Sequence, residues 1–160
     1  MLFKIFTGLC FVLLLNVSNA YSQQFTRQQF YKAMAGKSIN DIDEQIAVLK
    51  NNPAAGKDAF EGVLLMKKAD LIESKKEKLK LFKSGKAKLE AVIAKDTSNA
   101  EFRFLRLQIQ EHAPKVVKYR DKLDSDKVFI IRSFKGLSPE MQQVILDYSK
   151  QSKILQPADL

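Results

Sequence analysis

An all-α fold is what this 160-residue sequence predicts: six or seven helices paired as antiparallel hairpins, in a stack or a small bundle. Three observations lead there. Lys, Leu, Ala, Glu and Gln dominate, and these are strong helix formers. Strand signals are poor, because valine and isoleucine are scattered, threonine is scarce, and no Asn-Gly or Asp-Gly hairpin turn occurs. The third observation is the stretch 98–114, SNAEFRFLRLQIQEHAP, whose apparent alternation resolves at helical spacing into two apolar stripes.

The elements follow in order. Residues 1–20 read as a cleaved secretory signal peptide, with Lys4 as the positive n-region, 5–15 as the apolar h-region, and Ser18-Asn19-Ala20 as the cleavage site. The apolar run is shorter than the ~20 residues a membrane-spanning helix needs. Residues 21–160 are then the folded part, a single all-α domain in a periplasmic or secreted protein, with no transmembrane helix after signal cleavage. A short amphipathic segment, 26–35, ends at Gly36. Ser38 caps a second helix that begins with acids, ends near Lys50 and is closed by Asn52-Pro53. A third covers about 57–73, with Phe60, Leu64 and Leu71 on one stripe. Leu65, Ala69 and Ile72 form another, next to Gly62, where a partner helix can approach closely. A lysine-rich segment follows, and a fourth helix runs through LEAVIAKD to Asp96. Thr97-Ser98-Asn99 is a loop with capping residues, and Pro114 stops the fifth helix. Residues 115–123 add a turn or two. Ser125 is the expected cap of a helix ending at Gly136. Ser138-Pro139-Glu140 starts the last helix, which is expected to reach about Lys153.

On the fifth helix Phe102, Leu105, Ile109 and Ala113 fall on one stripe. Ala100, Phe104 and Leu107 fall nearly opposite. A surface helix buries one apolar face. Two faces imply neighbours on both sides. Arg103, Arg106 and Gln110 occupy a strip between the stripes and must meet solvent, a groove or acids of a neighbouring helix. Arginine's planar fork suits carboxylates, so the groove reading makes these three the candidate partner-binding residues.

LEAVIAKDTSNAEFRFLR, residues 89–106, resembles the junction between adjacent tetratricopeptide repeats. There an Ala-rich apolar run ends in an acid, and a short turn with Asn-Ala-Glu opens the next repeat. Leu89, Val92, Asp96, Asn99, Ala100 and Glu101 carry the likeness. Thr97 stands where the repeat usually has proline, and no 34-residue period runs through the chain. The resemblance implies a stack of helical hairpins and a scaffold that binds extended peptides or helices. It transfers no binding residues.

The net charge is +9, and loss of Lys4 with the signal leaves +8. Such a balance favours acidic partners. Nine lysines lie between Lys67 and Lys88, and Lys76, Lys80 and Lys83 share one helical stripe opposite Leu79, Phe82, Leu89 and Ile93. That stripe is the candidate site for an anionic lipid or polysaccharide surface. Stacking aromatics are not interleaved with it, which argues against nucleic acid.

Catalytic and cofactor signatures fail one by one. Ala35-Gly36-Lys37-Ser38 ends like a phosphate loop, but Tyr31 stands where its first glycine belongs. Asp124-Ser125-Asp126 lacks the glycine and distal glutamate of a calcium loop and is better read as helix capping. His112 is the sole histidine, placed where a helix C-terminus favours it. Cys10 is the sole cysteine and lies in the signal segment. No catalytic residue, cofactor or metal site is therefore predicted. The expected function is non-enzymatic: an exported interaction module for a protein or peptide partner, with an anionic envelope surface as the alternative.

Overall fold

Hydroxyl and amide side chains set most of the helix starts. Thr26 accepts from Gln29 N–H, Ser38 from Asp41, Ser74 from Glu77, Asn99 from Phe102 and Ser138 from Met141. Each such cap satisfies an otherwise orphaned donor and contributes ~1 kcal/mol. The structure is a computed structural model that describes residues 24–52 and 55–160. The expected signal peptide, with Cys10, and Pro53 lie outside the described residues.

Among the described residues there are seven α-helices and no strand: α1 Arg27–Ala35, α2 Ile39–Asn51, α3 Lys57–Leu71, α4 Lys75–Lys95, α5 Ala100–His112, α6 Leu123–Ser133 and α7 Pro139–Ser149. Single 3-10 turns occupy Lys115–Val117, Phe134–Gly136 and Pro157–Asp159. None of these helices is long and apolar enough to cross a membrane.

Helix α5 lies between two apolar cores. Phe102, Leu105 and Ile109 join Phe30, Phe60, Leu64 and Leu89 in the larger core, built from α1 to α5. Phe104 and Leu107 join Ile130, Met141, Ile145 and Leu155 in the second, built with α6, α7 and the C-terminal tail. The two stripes of the sequence are thus the walls of two cores, and α5 joins them.

Helices α3 and α4 cross backbone to backbone. A methyl placed on Gly85 would lie 2.3 Å from Gly62 O, and one placed on Gly62 would lie 2.6 Å from Gly85 O. The smallest residue is required on both sides. Gly56, at the start of α3, has φ +71° and faces the Phe102 ring, so it is fixed by conformation and by space.

Four boundaries differ from the sequence reading. The lysine-rich segment is not separate but forms the N-terminal half of the 21-residue α4, which Ser74 caps. Helix α3 stops at Leu71. Ser125 is no cap: α6 begins at Leu123, and Ser125 Oγ donates to Lys122 O inside its first turn. Helix α7 ends at Ser149, because Glu111 on α5 draws the tail inward. Glu111 accepts from Ser152 Oγ at 2.6 Å, Lys153 N–H at 2.6 Å and Tyr148 OH at 2.5 Å.

Candidate functional site

The arginine strip faces acids, not a groove. Asp126, on α6, is fully buried and takes Arg106 Nε at 2.7 Å, Arg106 Nη2 at 2.8 Å and Arg103 Nη1 at 3.1 Å. Arg106 Nη1 reaches Glu90 on α4 at 2.8 Å, and Tyr119 OH donates to the other oxygen of Glu90. Burial opposes the Arg106 charge, but hydrogen bonds and charge from Asp126, then Glu90, raise its pKa above the ordinary arginine value. Burial and then the Glu90 hydrogen bond raise Tyr119 well above the usual phenol, so it stays a donor. Arg103 Nε also donates to Thr97 O at 2.8 Å, and its guanidinium lies 4.2 Å from the centre of the Phe129 ring. Gln110 is fully buried and accepts from Lys122 N–H at 3.1 Å. Arg103, Arg106 and Gln110 therefore clamp α5 to α4, to α6 and to the segment before it. The partner-binding assignment is corrected on this ground: both guanidinium groups meet acids inside the fold, and Gln110 is fully buried, with its Nε2 unpartnered among the described residues. Asp126, read from sequence as a capping acid, is the centre of this network.

The lysine run divides into paired and unpaired members. Lys68 meets Asp43 at 2.6 Å, tying α3 to α2. Lys88 meets Asp58 and Glu61, each at 3.1 Å, tying α4 to α3. Lys86 sits 4.6 Å from the centre of the Tyr119 ring. Lys76, Lys80 and Lys83 are exposed on α4, and none forms an ion pair among the described residues. Their common stripe is a solvated cationic face.

The apolar stripe of α4, about a quarter-turn away, is covered only in part. Leu89 and Ile93 are buried in the larger core, whereas Phe82 is half-buried and Leu79 is 48% exposed. Here a groove of about 700 Å³ opens across five helices. Its apolar wall is Tyr31 and Met34 of α1, Met66 and Ala69 of α3, Leu79 and Phe82 of α4, and Ile109 of α5. Val116, Val117 and Val144 continue it toward α7. Val116, in the 3-10 turn after α5, is 85% exposed at the mouth. Such a volume lies in the ordinary range for ligand pockets, ~300–1,000 Å³.

Few polar groups enter the groove. Gln108 lines the groove, but its Oε1 atom is shut away from it and has no hydrogen-bond partner among the described residues. His112 Nδ1 lies 2.9 Å from Gln108 O; a carbonyl only accepts, so this nitrogen carries the proton. Lys67, Lys75 and Lys78 stand around the end where α3 passes into α4, with Asp70 beside them. Asp147 at the far side is held by Lys150 at 2.6 Å and by Gln143. Lys150 first, then Gln143, holds its carboxyl below the usual range. Among the described residues, no serine, threonine or cysteine lines the groove. Among the described residues, no cluster of three His, Cys, Asp or Glu side chains could hold a metal ion.

The sequence reading did not find this groove, because its walls come from five separated segments. In the sequence Leu79 is one member of the α4 apolar stripe, and only the structure shows that it and Val116 lie open to water. Comparison with protein-family models, with characterised proteins and with solved structures finds no match for this chain.

Proposed function

We propose that this chain is an exported, non-enzymatic helical module that binds a protein or peptide partner in the groove between α1, α3, α4, α5 and α7. One observation carries the reading. The apolar stripe of α4 runs out of its core at Phe82 and Leu79 into a mostly apolar groove, where Leu79 and Val116 lie open. Apolar surface of this kind, rimmed by charge, is what a partner covers. The location rests on the N-terminal pattern of residues 1–20, and the tetratricopeptide-like kinship on residues 89–106. The test is capture from the native envelope fraction at high salt, by the wild-type chain and by the Leu79→Glu variant. A defined protein held by the first and lost by the second supports the groove. Equal capture by both, or none by either, refutes it.

A second reading has its own observation. Lys76, Lys80 and Lys83 are exposed on the adjoining face of α4, without ion pairs among the described residues. This face suits an anionic lipid or polysaccharide surface. Sedimentation with anionic vesicles tests it: binding should weaken steeply between low and physiological salt.

A further inference from the structure

We infer that the occupant of the groove is an amphipathic helix with acidic residues clustered at one end, seated against Lys67, Lys75 and Lys78. The inference rests on the groove reading above and specifies the partner's chemistry. Two features of the site support it.

The first is charge complementarity. Lys67 lies near the end of α3, and Lys75 and Lys78 lie in the first turn of α4, so the cations gather at one end of the groove. None of the three forms an ion pair among the described residues, whereas Lys68 and Lys88, one on each helix, do. Asp70 offsets one of these charges, and Asp147, at the α7 side, is already held by Lys150. The groove thus has one cationic pole and an apolar body. Complementary charge of this kind selects a partner and its orientation more than it adds raw affinity.

The second feature is shape. Leu79 and Val116 carry the apolar surface outward beyond the enclosed volume. A small ligand inside the cavity would leave them wet. A helix laid along the groove covers them with side chains at i, i+3, i+4 and i+7. Met34 and Met66 in the wall are unbranched and adapt to such side chains.

The experiment uses three synthetic helical peptides with the same Leu face. They differ only at one end, which carries four Glu, four Gln or four Lys. Binding to the protein is read by fluorescence anisotropy at low and at physiological salt, with anionic vesicles as a separate arm. The Glu peptide should bind at least tenfold tighter than the Lys peptide at low salt. That gap should close in the Lys67→Gln, Lys75→Gln, Lys78→Gln variant, and Leu79→Glu should abolish binding of all three. These are exposed or half-buried positions, and circular dichroism confirms that each variant stays folded. Equal binding of the three peptides, lost in Leu79→Glu, overturns the acidic preference while the groove reading stands. Equal binding that survives Leu79→Glu overturns both. Binding of vesicles but of no peptide, abolished by replacing Lys76, Lys80 and Lys83, also overturns both and leaves the lysine face.

Discussion

Replacing Asp126 by Ala should cost about 3 kcal/mol of stability, although the residue does not line the groove. The magnitude follows from what its removal leaves behind. Asp126 is fully buried and accepts three charge-assisted bonds from two arginines. Arg106, whose side chain is 6% exposed, would keep only Glu90, itself a third exposed. Arg103 would keep Thr97 O and the Phe129 ring. Breaking a buried ion pair by deleting one partner costs ~3–5 kcal/mol, because the remaining charge stays out of water. The surviving Glu90 contact places this case at the lower end. In a chain of this length ~1 kcal/mol moves Tm by ~2–4 °C, so the midpoint should fall by roughly 6–12 °C. Urea titrations followed by circular dichroism measure the loss directly. The double variant Asp126→Ala, Arg106→Met should lose less than the sum of the two single variants, since either deletion already breaks the pair. A loss below about 1 kcal/mol for Asp126→Ala, or strict additivity, would show that the network is solvated. It would also return Arg103 and Arg106 to the list of surface candidates.

Three further outcomes can be checked on the same footing. On helix propensity alone, Gly85→Ala would stabilise α4 by ~1 kcal/mol; the 2.3 Å approach to Gly62 O instead predicts a loss of ~1–3 kcal/mol by calorimetry, and a gain would refute the backbone crossing. Burial works to raise the Glu111 carboxyl, but hydrogen bonds from Ser152, Tyr148 and Lys153 N–H overcome it and hold it below the usual range. Its contribution is therefore complete above the ordinary glutamate pKa of ~4.3 and lost as pH falls through the depressed value. Between pH 6 and pH 3 the wild type should lose more stability than Glu111→Gln, and equal losses would refute the linkage. Replacing Lys76, Lys80 and Lys83 together by Gln should leave the urea midpoint unchanged within ~0.5 kcal/mol, because exposed charges without partners contribute little; a larger fall would mean that this face is packed.

The scaffold was legible because its strongest signals are local or periodic. Ser38, Asn99 and Ser138 announce helix starts within four residues, and the structure uses each of them. The two stripes of α5 could be read at ~100° per residue, and they line two cores. Gly62 pointed to a close approach, though its partner Gly85 is 23 residues away and carries no local sign of the pairing. The start of α4 was missed at a local cap, Ser74, whereas the end of α7 depends on a distant residue. Nothing near Ser149 tells the chain to leave the helix; the pull comes from Glu111 across the fold.

The candidate site was less legible for a physical reason that bears on function. Charge in a sequence has no address: the strip Arg103, Arg106, Gln110 and the stripe Lys76, Lys80, Lys83 look equally available until their surroundings are known. The fold treats them oppositely. The arginines meet Glu90 and Asp126 and become structural, whereas the lysines face water. Apolar residues are misread in the reverse sense. A helical wheel places Leu79, Phe82, Leu89 and Ile93 on one stripe and cannot show that only Leu89 and Ile93 are buried in the core. Where the stripe outruns its core, α4 carries a bare apolar surface bounded by free lysines. Two neighbouring faces of one helix thus carry the two proposed binding surfaces, and the α3–α4 glycine crossing fixes that helix in place. Loosening the crossing should weaken binding at the groove, whose walls include both helices. It should spare the lysine face, which needs only α4 itself.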